Sequence, residues 1–128
     1  MNSQKEAKQQ PLSIEQLNDL IVDSIQDIKG EKIVKLDLRH LEDAPTEFFI
    51  ICEGNSNTQV KAISDNIYKR LKDDADLLPS HYEGQQNAFW ILLDYFEIVV
   101  HVFYRETRAF YELEGLWSDA IFTEYENL

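Results

Sequence analysis

Phe48-Phe49-Ile50-Ile51-Cys52 places five apolar residues in succession with no polar residue between them. A strand with one wet face alternates apolar and polar side chains, because successive side chains point to opposite faces. An unbroken run of this length predicts a strand covered on both faces. That selects a sheet with packed layers above and below it.

The rest of the chain supplies the pieces. Val34, Leu36 and Leu38 alternate with Lys35 and Asp37, the pattern of a strand with one wet face. Leu17, Leu20, Ile21, Ile25 and Ile28 recur at helical spacing opposite Asp19, Asp23, Gln26 and Asp27, and Gly30 follows where that helix should stop. Val60, Ile63, Ile67 and Leu71 form a second apolar stripe, with Lys61, Asp65, Lys69 and Lys72 pointing away. Ser13-x-x-Gln16 and Ser56-x-x-Gln59 carry capping-box spacing at the two helix starts. The apolar strand, the turn Gly54-Asn55-Ser56-Asn57 and the second helix read as a crossover unit packed on a sheet. A short strand is predicted at His81-Tyr82-Glu83. Ala88 to Leu93 and Ile98 to Tyr104 read as a hairpin around Asp94-Tyr95-Phe96-Glu97. A short helix is predicted over 106–111, whereas Glu112 to Trp117 shows neither period.

The expected class is therefore α/β, a single domain with a mixed sheet packed by helices. Residues 1–12, Gln-rich and closed by Pro11, read as a disordered polar tail; the domain is set at 13–120, and 121–128 read as a frayed C-terminal tail. A chain of 128 residues can carry such a core. Domains near this size bury about 68–70% of their unfolded surface.

Charge narrows the function. Asp and Glu number 24 against 12 Lys and Arg, a net charge of -12. That balance repels phosphate, which argues against coating nucleic acid or an anionic membrane. It steers the chain toward a basic partner. Cys52 is the sole cysteine, so no intrachain disulfide forms and a reducing compartment fits. The first ten residues hold no apolar signal region, and no apolar run approaches the roughly 18–20 residues that span a bilayer. A cytoplasmic location is expected.

Candidate catalytic groups are sparse. His40, His81 and His101 lie on different predicted elements and share no ligand spacing with one another or with Cys52, so no metal site is expected. Cys52 in a buried strand reads as inert packing. The Gly54-Asn55-Ser56 turn before a helix resembles the Gly-Ser turn of nucleotidyltransferases, whose chemistry needs two close carboxylates to hold Mg²⁺. The stretch that should carry them, Asp65-Asn66-Ile67-Tyr68, has one. The turn reads as a helix cap, and a small nucleotidyltransferase stays as the rival from the enzyme class. His101 falls between Val100 and Val102 and faces opposite to both. A half-buried strand histidine and a histidine that shapes a contact surface both fit. Tyr111, Leu113, Leu116 and Trp117, flanked by Glu112, Glu114 and Asp119, either cover an open sheet edge or form an interface.

Trp90-Ile91-Leu92-Leu93-Asp94, Ile98-Val99-Val100-His101-Val102-Phe103 and the stretch Arg108-Ala109-Phe110-Tyr111-Glu112-Leu113-Glu114-Gly115-Leu116-Trp117-Ser118-Asp119-Ala120 closely resemble the ribosomal silencing factor family, RsfS, also called Iojap. Thr46 to Ser56 and Gln59 to Asp65 match its strand, turn and helix, and the resemblance runs from about Ile14 to Ala120. The resemblance implies a nucleotidyltransferase-like fold without the catalytic carboxylates, no cofactor and no enzymatic activity. It implies binding to ribosomal protein L-fourteen on the large subunit, blocking the small subunit from joining and damping translation when nutrients are short. Trp90, Asp94, His101, Tyr111, Leu113, Glu114, Leu116 and Trp117 are the expected contact residues, with aromatics as anchors and acids meeting Lys or Arg. A homodimer fits the exposed hairpin edges, and an acidic adaptor for a non-ribosomal basic partner is the remaining rival. The chain departs from the family at its hairpin turn, where Asp94-Tyr95-Phe96-Glu97 stands in place of the common Asp-x-Gly-Asp.

Overall fold

The computed structural model describes residues 11–128. Of the predicted tail over 1–12, residues 1–10 lie outside the described residues, and Pro11 and Leu12 have no regular structure. In chain order the elements are α1 (Ile14–Asp27), β1 (Glu31–Asp37), β2 (Phe48–Gly54), α2 (Asn57–Ala75), β3 (His81–Glu83), β4 (Trp90–Asp94), β5 (Ile98–Tyr104), α3 (Arg105–Tyr111), α4 (Leu113–Leu116) and β6 (Ile121–Tyr125). The strands form one mixed sheet in the order β3-β4-β5-β2-β1-β6. β2 and β5 pair in parallel at its centre, from Phe48 opposite Ile98 to Gly54 opposite Tyr104, and the other pairings are antiparallel.

All seven residues of β2 are buried, as its apolar run requires. One face of the sheet carries α1 and α2. Ile21 and Ile25 of the first helix meet Ile63, Ile67 and Leu71 of the second, all fully buried with Ile50, Val100 and Val102 beneath them. Each such side chain contributes about 1.5–3 kcal/mol relative to exposure. The predicted stripes thus mark the buried sides of both helices, and Lys61, Asp65, Lys69 and Lys72 face water. The opposite face holds a second core of Val34, Leu36, Leu38, Phe49, Ile51, Val99, Phe103 and Leu113.

Local chemistry explains the element ends. Ser13 accepts from the Gln16 amide at 3.1 Å while the Gln16 side chain accepts from the Ser13 amide at 2.8 Å, a complete capping box. At α2 only half of the box closes. Ser56 accepts from Gln59 N–H at 3.1 Å, but Gln59 Oε1 accepts from Asn55 N–H at 2.7 Å rather than from Ser56 N–H, while its Nε2 donates to the carbonyls of Ile28 and Lys29, each at 3.1 Å, tying the start of α2 to the end of α1. The residue that turns the chain after α1 is Lys29 (φ 63), not Gly30. Gly30 is there for closeness, since a Cβ on it would sit 2.3 Å from Ile25 Cγ2.

Three readings need correction or completion. Residues 121–125 are not a frayed tail but strand β6, paired with β1 from Ile33 opposite Tyr125 to Asp37 opposite Ile121. Four of its five side chains are exposed, so its order comes from backbone pairing rather than apolar burial. Within residues 112–117, Leu113–Leu116 form a one-turn helix, α4, set off from α3 by Glu112 in the left-handed region (φ 47). The hairpin turn places Phe96 at φ 72, with its N–H donating to Asp94 Oδ1 at 2.8 Å and Tyr95 N–H donating to the Ile98 carbonyl at 2.8 Å.

A candidate docking face on the open side of the sheet

Alternation along the strands sorts the candidate residues. Trp90 lies opposite Phe103, Leu92 opposite His101 and Asp94 opposite Val99 across β4 and β5, and Ile51 of β2 sits beside His101. These side chains share the face away from α1 and α2. α3 and α4 cover part of it. Leu113 plugs the second core. Trp117 meets the Phe49 ring edge-on at 6.1 Å, and Tyr111 lies over Trp90 at 5.0 Å. The sequence residues Trp90, His101, Tyr111, Leu113 and Trp117 are thus brought into one aromatic and aliphatic cluster.

Their depths differ, and so do their roles. Tyr111 is 52% and Leu116 74% exposed, and Trp90 and Trp117 are half-buried, so these present surface. His101 and Leu113 are buried beneath them. Asp94 already caps the hairpin turn through Oδ1, and His81 Nδ1 lies 3.6 Å from its Oδ2. Glu114 is held by its own chain: Arg108 Nε and Nη2 both donate to Glu114 Oε2, at 2.9 and 2.6 Å. Arg108 Nη1 also donates to the Lys32 carbonyl at 2.7 Å and to Glu53 Oε1 at 3.3 Å. This clamp joins β1, β2, α3 and α4 and fixes the helical cover on the sheet. Alternation and periodicity carry no sign of it, because its members are distant in sequence. Phe110, 79% exposed and edge-on to Tyr111 at 5.0 Å, was also outside the expected set. Its signal was its place beside Tyr111 on a helix with no buried residue.

His101 settles on the buried reading. Trp90 Nε1–H donates to its Nδ1 at 3.1 Å, so a neutral ring carries its proton on Nε2. Burial pushes its pKa down to about 4 from the ordinary 6.5. The rings around it, Phe49, Trp90 and Phe103, offer no counter-charge. Since the folded pKa is depressed, the unfolded chain binds the proton more tightly, and stability falls as pH drops from 6.5 to 4. The expected contribution is about 3 kcal/mol over that window. Urea denaturation of the parent and of His101→Gln at pH 7 and pH 4 reads it: the variant should lose correspondingly less stability on acidification, and equal losses would show that His101 is not held neutral.

The other candidate centres stay apart. Burial pushes the Cys52 thiol up to about 12, so it is not a nucleophile at neutral pH. Asp65 lies on the exposed side of α2, paired with Lys61 at 3.2 Å and accepting from the Tyr82 hydroxyl at 2.9 Å. Among the described residues no group of three or more His, Cys, Asp or Glu is placed to hold a metal ion, and no helix is long and apolar enough to cross a membrane.

Fold and face together define a small α/β protein that gathers Phe49, Trp90, Phe103, Tyr111 and Trp117 on the open side of a mixed sheet. The family model described as "Ribosomal silencing factor during starvation" matches residues 11–128. The ribosomal silencing factor RsfS of Halalkalibacterium halodurans is 37% identical over 117 residues, covering 91% of this chain and 98% of the relative. A crystal structure of a Chromobacterium violaceum protein superposes with a TM-score of 0.79 at 33% identity, covering 84% of this chain and 88% of that one. A longer mouse protein named for mitochondrial assembly of the ribosomal large subunit is 34% identical over 76 residues, 57% of this chain and 33% of its own length. The chain belongs to the RsfS/Iojap family of ribosomal silencing factors.

Proposed function

We propose that this chain binds the large ribosomal subunit in the cytoplasm through ribosomal protein L-fourteen and, by occupying that site, keeps the small subunit from joining, so that translation is repressed when nutrients are limiting. The observation that carries the reading is the pair of exposed side chains Tyr111 and Leu116 with the half-buried Trp117 on a chain of net charge -12. Rigid aromatic anchors within a charged surround are what protein interfaces are built from. The acidic balance steers encounter toward a basic ribosomal protein and away from the rRNA phosphates. That a mouse relative is named for assembly of the ribosomal large subunit supports the reading. Docking of this kind is steric and needs no chemical step, so Gly54 to Ser56 serve as strand end, turn and helix cap.

Sedimentation on sucrose gradients with separated subunits tests the reading. The protein is expected with large subunits and not with small ones, and preincubated large subunits should fail to form complete ribosomes. Equal association with both subunits, or with neither, would overturn the assignment.

A further inference from the structure

Phe96 combines two features that a turn residue seldom combines. Its ring is 74% exposed, and its backbone sits at φ 72, a conformation that L side chains other than Asn and Asp rarely adopt. The backbone of the turn is hydrogen-bonded on both flanks, which fixes the direction in which the side chain leaves it. Phe96 N–H donates to Asp94 Oδ1 at 2.8 Å, and its carbonyl accepts from the Thr46 hydroxyl. Glu97 C=O accepts from Phe48 N–H at 2.9 Å. Beneath it Tyr95 is buried and anchors the turn in the core. An unfavourable backbone kept in place by its surroundings, carrying a large apolar group into water, points to a use for that group.

Beside the ring lies a shallow groove of about 410 Å³ lined by Leu38, Leu41, Ala44 and Pro45. Leu41 and Ala44 also pack against the core under the aromatic face, so the groove continues that face toward the hairpin turn. The rim is acidic. Glu47 and Glu97 line the groove, and Glu42 and Asp43 stand on the same loop. None of these four is ion-paired among the described residues, and Arg39, which also lines the groove, is taken by Asp37 at 2.7 Å.

We propose that Phe96 and this groove form a second contact of the docking face, receiving from the basic large-subunit protein an apolar side chain flanked by Lys or Arg. The proposal rests on the ribosome-binding reading and adds to it a contact at the β4–β5 turn.

The test uses Phe96→Gly, which accepts the positive φ at no steric cost, and Phe96→Ala, which keeps the Cβ and removes only the ring. Affinity for purified large subunits is measured by sedimentation over a range of salt, with the melting temperature of each variant. At least tenfold weaker binding by both variants, at a melting temperature no lower than the parent's, is expected. A companion variant, Glu47→Gln with Glu97→Gln, should flatten the salt dependence of binding. Affinity within twofold of the parent for the Phe96 variants overturns the proposal and leaves the ribosome-binding reading standing. Weaker binding accompanied by a lower melting temperature in both variants also overturns it, since the ring would then be holding the turn. If the parent itself does not sediment with large subunits, the functional reading falls and this contact with it.

Discussion

Arg108→Ala is expected to destabilise the protein by about 3–5 kcal/mol, more than an ordinary surface change by several-fold. The side chain of Glu53 is 4% exposed and that of Arg108 11%, so both charges sit largely out of water. Among the described residues Glu53 Oε2 has no partner, and Oε1 has Arg108 alone. Removing the guanidinium leaves Glu53 as an uncompensated buried carboxylate, strips Glu114 of two charge-assisted hydrogen bonds and frees the Lys32 carbonyl. For a chain of this size the loss corresponds to a fall of roughly 10–20 °C in melting temperature. The cause is testable separately from the magnitude. Arg108→Met combined with Glu53→Gln keeps the volume and removes the stranded charge, so it should recover at least half of the lost stability in urea denaturation at pH 7. A single variant that costs under about 1 kcal/mol would show that the clamp does not hold the helical cover on the sheet.

Trp117→Ala is the change expected to act most strongly on binding. Its ring rests edge-on against Phe49 while another part faces water beside the exposed Leu116. A half-buried ring gives up only part of the area of a core tryptophan, and the expected folding cost is about 1–2 kcal/mol. As an interface anchor it is expected to supply about 2–4 kcal/mol of binding, so its truncation should weaken affinity for the large subunit by roughly 30- to 700-fold. The variant should therefore melt a few degrees lower, remain folded, and no longer keep mixed subunits apart. A variant that folds and still blocks joining at the parent's concentration removes Trp117 from the docking face. One that unfolds places it in the core. The two changes separate cleanly, because Arg108 acts through the fold and Trp117 through contact.

What the sequence made legible follows from the range of the interactions involved. The stripes Val60, Ile63, Ile67 and Leu71 and Leu17 to Ile28 are local patterns with a local meaning, and both helices lie where they predict. The run Phe48 to Cys52 demanded two covered faces, and the sheet has them. Strand β6 was hidden because Ile121 to Tyr125 gain their order from hydrogen bonds to β1, which leave no mark on side-chain pattern. For the docking face, alternation put His101 opposite its valine neighbours and so on the correct side of the sheet. Depth was not legible in the same way. Whether His101 and Leu113 touch a partner or lie under Trp90 and Trp117 depends on where α3 and α4 fold back, and the turn between them is made by Glu112 without a glycine to announce it. The Glu53–Arg108–Glu114 clamp, joined across three elements, could be found only in three dimensions.

The seven buried residues of β2 have a consequence for how a lineage of such chains can change. Three of them face the docking side and the intervening ones face the helices, so each substitution is felt in one core or the other. No position on that strand can drift freely or acquire a new surface function without a compensating change across the sheet. Novelty must enter instead at the margins, through the outer sides of α1 and α2, the loop over 39–47 and the β4–β5 turn. A family built this way can hold its scaffold nearly constant while each member tunes its rim to the partner it meets.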